Sequence, residues 1–188
     1  MKNVAFLYGW SEGKWHTKEF AKQLKRNRFK ISDNTETADV IIAHSLGCYL
    51  LPKEPKAKLI MLIGLPYWPG RPVLKSMQMN LKHEASMKHS MIWWLRRSAW
   101  ATFYVLKKMR TNYKTLKRRA KGDLRLPALS TASQPIMIRN QLDPFTHPKI
   151  QELLPATKKY KLIELPGGHE DWWINPKPYI DLLTKHLK

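Results

Sequence analysis

Short apolar runs alternate with amphipathic stretches along most of this chain. The runs are largely aliphatic and partly β-branched, which is typical of strands buried on both faces of a parallel sheet. Amphipathic stretches at 15–26 and 178–187 have the apolar spacing of helices. Strands that alternate with helices predict an α/β three-layer sandwich around a mostly parallel five- or six-stranded sheet. The predicted strands are 4–8, 29–31 (an edge strand), 40–43, 59–65, 135–139 and 160–165.

Residues 71–130 interrupt this alternation between the fourth and fifth predicted strands. The segment is basic and rich in Met and Trp, and its centre, 91–120, is predicted as one long helix. We expect a core formed by 1–70 and 131–188 and a helical cap insertion formed by 71–130, with an enlarged connecting helix as the alternative. One face of the long helix alternates aromatic and cationic side chains: Trp93, Arg97, Trp100, Tyr104 and Lys108.

A serine lies at the junction between the strand 40–43 and an apolar segment, 46–51, that is predicted to begin a helix. The junction reads A-H-S-L-G (43–47), with a small residue two positions before and two positions after the serine. Small residues suit these positions because neighbouring backbone passes close to a sharp strand-to-helix turn. Such a turn would lift the Ser45 hydroxyl clear of the sheet. It would also place Ser45 at a helix N-terminus, where free N–H groups stabilise a developing oxyanion.

This junction resembles the nucleophile elbow of the α/β-hydrolases, G-x-S-x-G, with Ala43 in place of the first glycine. In that family the acid and then the histidine follow the serine along the chain. Asp143 follows the fifth predicted strand, and His169 follows the last one in a Gly-Gly-His loop. Active sites of open α/β sheets form at these carboxyl ends. The resemblance therefore implies the α/β-hydrolase fold and a catalytic triad of Ser45, Asp143 and His169.

A literal G-x-S-x-G also occurs, at 9–13, with Ser11 at its centre. It follows the first predicted strand, but several residues separate Ser11 from the first predicted helix. A tight strand–serine–helix turn is therefore not expected there. We predict Ser45 rather than Ser11 as the nucleophile, because the motif has meaning only in that structural context.

The same resemblance implies an oxyanion hole made of two backbone amides. One is the N–H of Leu46, and the other is the N–H of Trp10 in the loop after the first strand. Tyr8 stands where many relatives have His, which leaves open how this loop is braced. The Pro-rich stretch 66–72 is a candidate hinge for the cap. Aromatic and Met side chains would line an apolar acyl pocket: Tyr67, Trp68, Met77, Trp93 and Trp94.

The formal net charge of +20 and the pI of about 10.1 are unusual for a small hydrolase-like chain. The charge is uneven, because the segment 71–125 has fifteen basic residues against Glu84 and Asp123 and so carries 13 of the 20 net positive charges. A surface of this kind attracts phosphate-rich partners such as nucleic acid or anionic lipid headgroups.

Composition and motifs narrow the remaining possibilities. The single cysteine, Cys48, allows no internal disulfide and is expected to be a small buried apolar group. Neither a signal peptide nor a membrane span is predicted, so we expect a cytoplasmic protein, peripheral at the inner membrane surface if the basic cap binds lipid. Metal-ligand spacings and phosphate-binding Gly-rich loops are absent from the sequence, so no metal and no cofactor are expected.

Two functions remain. By resemblance to small serine hydrolases of the retinoblastoma-binding protein nine type, the chain would cleave the ester or thioester bond of a small acyl substrate through an acyl-serine intermediate. The same triad also serves amide hydrolysis, which the sequence does not separate from the other two. The alternative is a nucleic-acid- or anionic-membrane-binding protein on a hydrolase scaffold with little or no turnover.

Overall fold

The computed structural model describes residues 1–9, 12–14, 16–52, 54–68, 70–86, 95, 99, 134–153 and 160–187. The strands are β1 (Lys2–Leu7), β2 (Phe29–Ser32), β3 (Val40–His44), β4 (Leu59–Ile63), β5 (Gln134–Asn140) and β6 (Lys161–Leu165). The helices are α1 (Lys18–Arg26), α2 (Val73–Ser86), α3 (Ile150–Leu153), α4 (Asp171–Ile174) and α5 (Lys177–His186), with a 3₁₀ helix at Ser45–Tyr49.

These strands form one six-stranded sheet in the order β2-β1-β3-β4-β5-β6, and every neighbouring pair is parallel. The predicted parallel α/β sheet is therefore confirmed, with β2 at one edge as expected and β6 at the other. Because all strands run the same way, their carboxyl ends lie along a single edge of the sheet. The segments that follow β1, β3, β4, β5 and β6 consequently converge on that edge.

Side chains of the central strands alternate between two apolar layers, as the period of a strand requires. In β3, Val40 and Ile42 pack in the layer that also contains Phe20 and Leu24 of α1 and Tyr179 of α5. The intervening residues of β3 face the other layer, which contains Cys48, Leu65, Tyr67 and Ile150. Helices thus cover both faces of the sheet, which is the three-layer arrangement that the sequence predicts.

Several boundaries differ from the prediction. β1 ends at Leu7 instead of residue 8, and α1 begins at Lys18 instead of residue 15. The segment after Ser45 forms a five-residue 3₁₀ helix, so the prediction of an α-helix over 46–51 is wrong. We attribute the short helix to packing, because its backbone makes one tight turn against the end of β1. The chain then continues to β4.

Only the beginning of the predicted cap falls within the described residues. α2 forms its first helix, whereas the long helix predicted at 91–120 lies outside them apart from Leu95 and Ala99. The boundary of the cap and the stripe from Trp93 to Lys108 therefore stay predictions. In the part of the chain that is described, no helix is long and apolar enough to span a membrane.

Candidate active site

The turn after β3 holds Ser45 in a backbone conformation that is rare for residues other than glycine. Its φ is +52°, in the left-handed region, which carries strain of about 1–3 kcal/mol for such a residue. Gly47 makes the turn possible, because a Cβ atom at this position would lie 2.1 Å from the carbonyl oxygen of Leu7. Strain of this kind is typical of functional turns. The sequence predicted both the sharp turn and the need for a small residue two positions after the serine.

The oxyanion argument changes with the shorter helix. Leu46 follows Ser45 directly and is buried, so its N–H remains the predicted first oxyanion donor. A five-residue 3₁₀ helix has only a small macrodipole. The prediction that a helix dipole stabilises the oxyanion at Ser45 is therefore wrong. Trp10, the predicted second donor, and Ser11 of the literal G-x-S-x-G motif both lie outside the described residues.

Asp143 lies just past β5 with its side chain fully buried. Its Oδ1 atom accepts the N–H of Phe145 at 2.8 Å, and its Oδ2 atom accepts the hydroxyl of Thr146 at 2.9 Å. Burial alone raises the pKa of this carboxyl group, but the charge and the hydrogen bond of His169 together with the donors of Phe145 and Thr146 lower it below its usual value. The side chain is therefore an ionised carboxylate at neutral pH.

His169 lies just past β6, and its Nδ1 atom is 2.9 Å from Oδ2 of Asp143. Because an ionised carboxylate only accepts hydrogen bonds, Nδ1 carries the proton and Nε2 is left as the second functional atom. Burial lowers the pKa of His169, but the charge of Asp143 and the hydrogen bond to it raise the pKa more, to about 9. A histidine held by a carboxylate in this way is the arrangement that a serine nucleophile requires of its base.

The loop that carries His169 is fixed by a neighbouring amide that sequence reasoning missed. Asn140 ends β5 and is fully buried. Its Nδ2 atom donates to the carbonyl oxygen of Gly168 at 2.5 Å, and its Oδ1 atom accepts the hydroxyl of Tyr179 at 2.8 Å. α5 therefore holds the histidine loop through Asn140. An Asn at the end of an apolar strand is a signal that could have been noticed.

Gly64, just after β4, shows how close together these groups lie. A Cβ atom at Gly64 would be 2.9 Å from Asp143 Oδ2 and 3.0 Å from His169 Nδ1. On the other side, the ring of His44, next to Ser45, is 4.5 Å from the ring of His169 between centroids. Asp143 and His169 thus meet at one edge of the sheet, and Ser45 follows β3 at the same edge. Among the hydrogen bonds of the described residues there is none between Ser45 and His169, so their pairing stays a prediction.

Other His, Asp and Glu side chains in and after β5 and β6 have different partners. His147 is 5.0 Å from Trp68 between ring centroids, and its Nδ1 atom accepts the N–H of Lys149 at 3.0 Å. Asp171 is 3.6 Å from His83, and Glu164 forms an ion pair with Arg139 at the surface. Cys48 is fully buried, and burial raises the pKa of its thiol far above the usual value. It is therefore the inert apolar group that the sequence predicts.

α2 packs over the two loops that carry Asp143 and His169. The hydroxyl of Ser76 donates to the carbonyl oxygen of Pro144 at 2.8 Å. One and two turns further along, Asn80 and Glu84 are buried and hydrogen-bonded to each other at 2.7 Å. The polar side of this helix thus faces the body of the protein above the site.

The residues predicted to line an acyl pocket are only partly described. Tyr67 is buried, and Trp68 stacks under the guanidinium of Arg71 at 3.9 Å from its ring centroid. Met77 lies on α2 with 39% of its surface exposed. Trp93 and Trp94 lie outside the described residues. A pocket formed by these side chains stays a prediction. In the described part of the chain, no group of His, Cys, Asp and Glu side chains is arranged to hold a metal ion.

Comparisons with known proteins establish the fold. Neither protein-family models nor curated proteins match the chain. An esterase from Exiguobacterium antarcticum matches with a TM-score of 0.62 and 9% identity, over 99% of this chain and 91% of that one. The type II thioesterase BorB of the borrelidin biosynthetic cluster matches with a TM-score of 0.60 and 12% identity, over 99% of this chain and 92% of that one. A serine hydrolase involved in carbazole degradation matches with a TM-score of 0.59 and 11% identity, over 100% of this chain and 91% of that one. The chain therefore has the α/β-hydrolase fold, as predicted.

Proposed function

We propose that this protein is a serine hydrolase that cleaves ester or thioester bonds through an acyl-Ser45 intermediate. The observation that carries the proposal is the buried hydrogen bond between His169 Nδ1 and Asp143 Oδ2, 2.9 Å long, beside the strained turn of Ser45. A hydrolytic serine needs a base within reach and a third group that fixes the tautomer of that base. This edge of the sheet supplies all three residue types.

In the proposed reaction, His169 Nε2 takes the proton of the Ser45 hydroxyl while Oγ attacks the substrate carbonyl carbon. The oxyanion is stabilised by backbone N–H groups, with Leu46 as the first donor. His169 then gives the proton to the leaving alcohol or thiol, and an acyl ester remains on Ser45. Water attacks this ester in the second half, with the same imidazole as its base; the bond from the acyl carbon to Oγ then breaks, the carboxylic acid leaves, and the imidazolium returns the proton to Oγ of Ser45. Asp143 remains ionised throughout and stabilises the imidazolium.

The proposed substrate class is supported by the matches and by composition. Two of the structures with the same fold are named an esterase and a type II thioesterase, and this chain has aromatic and Met side chains where its predicted cap begins. We infer an apolar acyl group and, because of the net charge of +20, an anionic leaving group or an anionic surface nearby. A relationship to the retinoblastoma-binding protein nine type of hydrolase remains part of this proposal.

A fluorophosphonate probe tests the proposal directly, because it reacts only with activated serines. We expect labelling of the wild type and hydrolysis of p-nitrophenyl esters. Ser45→Ala should abolish both, whereas Ser11→Ala, which alters the literal G-x-S-x-G, should leave both within about threefold of the wild type. Labelling that survives Ser45→Ala, or that Ser11→Ala removes, would falsify the assignment of the nucleophile.

A second candidate function is binding to an anionic membrane surface, with or without turnover. The observation that favours it is a cleft of about 970 Å³ between α1 and β2, whose lining includes none of the predicted triad residues. Its apolar lining includes Phe6, Tyr8 and Ile31. Its cationic lining consists of Lys14, Lys18, Lys22, Lys25 and Arg26. Apolar surface beside cations suits a lipid interface, where long basic side chains reach headgroup phosphates.

A further inference from the structure

Two buried ionisable side chains meet beside the nucleophile, and the mechanism above uses neither of them. Oε1 of Glu12 is 2.5 Å from Nδ1 of His44, and the side chains are 2% and 1% exposed. A buried carboxylate or imidazolium without a partner is strongly destabilising. A pair this deep in the protein therefore has to be compensated by precise contacts, and each side chain makes one further contact that leads into the site.

Glu12 holds the loop that follows β1. Its second oxygen, Oε2, accepts the N–H of Gly9 at 2.5 Å. Gly9 in turn lies directly against the nucleophile, because a Cβ atom at this position would be 2.8 Å from Cβ of Ser45 and 3.2 Å from the carbonyl oxygen of His44. Glu12 thus fixes the backbone that leads into the predicted oxyanion donor. It supplies the bracing that the absence of a His at position 8 left open.

His44 holds the loop of the catalytic base. Its Nε2 atom is 2.9 Å from the carbonyl oxygen of His169, and a carbonyl oxygen only accepts, so Nε2 carries a proton. Its Nδ1 atom lies 2.5 Å from Oε1 of Glu12. Glu12 and His44 thus form a continuous bridge of contacts from Gly9 to His169.

We propose that Glu12 and His44 are positioning residues that clamp the oxyanion loop and the His169 loop onto the Ser45 turn. The inference rests on the proposed hydrolase function and adds to it a bridge between loops from the ends of β1, β3 and β6. A negative charge on Glu12 also raises the pKa of His169. The clamp acts on transition-state geometry, so its loss lowers kcat and leaves substrate binding nearly unchanged.

The test compares Glu12→Ala with Glu12→Gln. Alanine removes the contacts to Gly9 and His44. We expect kcat for p-nitrophenyl acetate to fall about 10- to 100-fold, because small misplacements of reacting groups have effects of this size. KM should stay within about twofold of the wild type. Labelling of Ser45 by the fluorophosphonate should slow by the same factor. Glutamine can accept from Gly9 and donate to a neutral His44, so Glu12→Gln should keep kcat within about threefold of the wild type.

Asp39→Ala is the matched control for a purely structural role. Oδ2 of Asp39 accepts the N–H of Asn3 at 2.7 Å, at the opposite end of the β1–β3 pair. Both alanine variants remove a carboxylate that holds a backbone N–H, and urea unfolding measures how much each is destabilised. We expect Asp39→Ala to lose stability while its folded fraction is labelled at the wild-type rate. Equal labelling rates for the folded fractions of both variants would overturn the clamp.

Amide hydrogen exchange at Gly9 separates this proposal from the proposed function. If the wild type is labelled at Ser45 and Glu12→Ala exchanges Gly9 faster while reacting slowly, the clamp is supported. If Glu12→Ala reacts as fast as the wild type, the clamp is wrong and the hydrolase assignment stands. If the wild type itself does not react, the hydrolase assignment fails and the positioning role fails with it, whatever the exchange at Gly9 shows.

Discussion

Asp143 and His169 show how single residues acquire their chemistry from their surroundings. Burial alone would favour the neutral forms of both side chains. Their mutual hydrogen bond reverses that preference, because each charge is stabilised by the other at 2.9 Å. The hydroxyl of Thr146 and the N–H of Phe145 donate two further hydrogen bonds to the carboxylate. The result is a strongly basic imidazole whose Nε2 atom is left for proton transfer.

This pairing predicts a rate that rises with pH. The base must be neutral to accept the serine proton, and the pKa of His169 is raised to about 9. The raised pKa keeps the imidazole protonated to higher pH than in a free histidine. We expect kcat/KM for the uncharged p-nitrophenyl acetate to increase about tenfold per pH unit below that pKa and to level off above it. Asp143 adds no inflection near neutrality, because its pKa is lowered. A profile that is already flat at pH 7 would contradict this assignment.

The sequence was sufficient to predict the site residues that follow strands, but not the side chains that hold the loops of those residues in place. Ser45, Asp143 and His169 each follow an apolar run, so parallel topology alone brings them to one edge. Glu12 also lies in a loop after an apolar strand, β1, so its position along the chain does not by itself indicate a role. Its role depends on a contact with His44 across the ends of two strands, and no local pattern specifies that contact. The sequence places His44 directly before Ser45 but does not specify its partner.

At the scale of elements, the strands were predictable because burial on both faces leaves long aliphatic runs. The five-residue helix after Ser45 was not, since its apolar sequence fits an α-helix equally well. Packing against the end of β1 decides its form. The backbone of the turn approaches Leu7 and Tyr8 so closely that a Cβ atom at Gly47 would meet both carbonyl oxygens, at 2.1 and 2.9 Å.

Gly47→Ala should therefore damage the junction of β1, β3 and the 3₁₀ helix. The added methyl group meets backbone and not a movable side chain, so we expect a loss of about 3 kcal/mol in the free energy of unfolding, measured with urea. Fluorophosphonate labelling of Ser45 should also slow, because the turn must shift.

In the control Gly70→Ala, the methyl group meets no atom within 4 Å. This control should lose about 1 kcal/mol from its positive φ and keep wild-type labelling. Equal losses for both variants would contradict the close approach.

For the molecule as a whole, the question is whether anionic partners bind at one particular cationic surface of the protein or are attracted by its net charge in general. General attraction depends on net charge and is screened within about 10 Å at 0.1 M salt. A specific surface depends on where the cations stand. In α1, Lys18, Lys22 and Lys25 recur at helical spacing along the wall of one cleft, and Phe6 and Ile31 form part of its apolar lining.

Two double variants with the same change in net charge separate these cases. Lys18→Glu with Lys25→Glu alters the cleft, whereas Lys56→Glu with Lys58→Glu alters exposed lysines before β4. If the cleft binds lipid, the first variant should lose at least about tenfold in affinity for phosphatidylserine-containing vesicles in sedimentation assays, and the second less than about threefold. Equal losses would indicate net charge alone. Binding that falls steeply between about 50 and 200 mM salt and prefers single-stranded DNA to vesicles would instead identify nucleic acid as the partner.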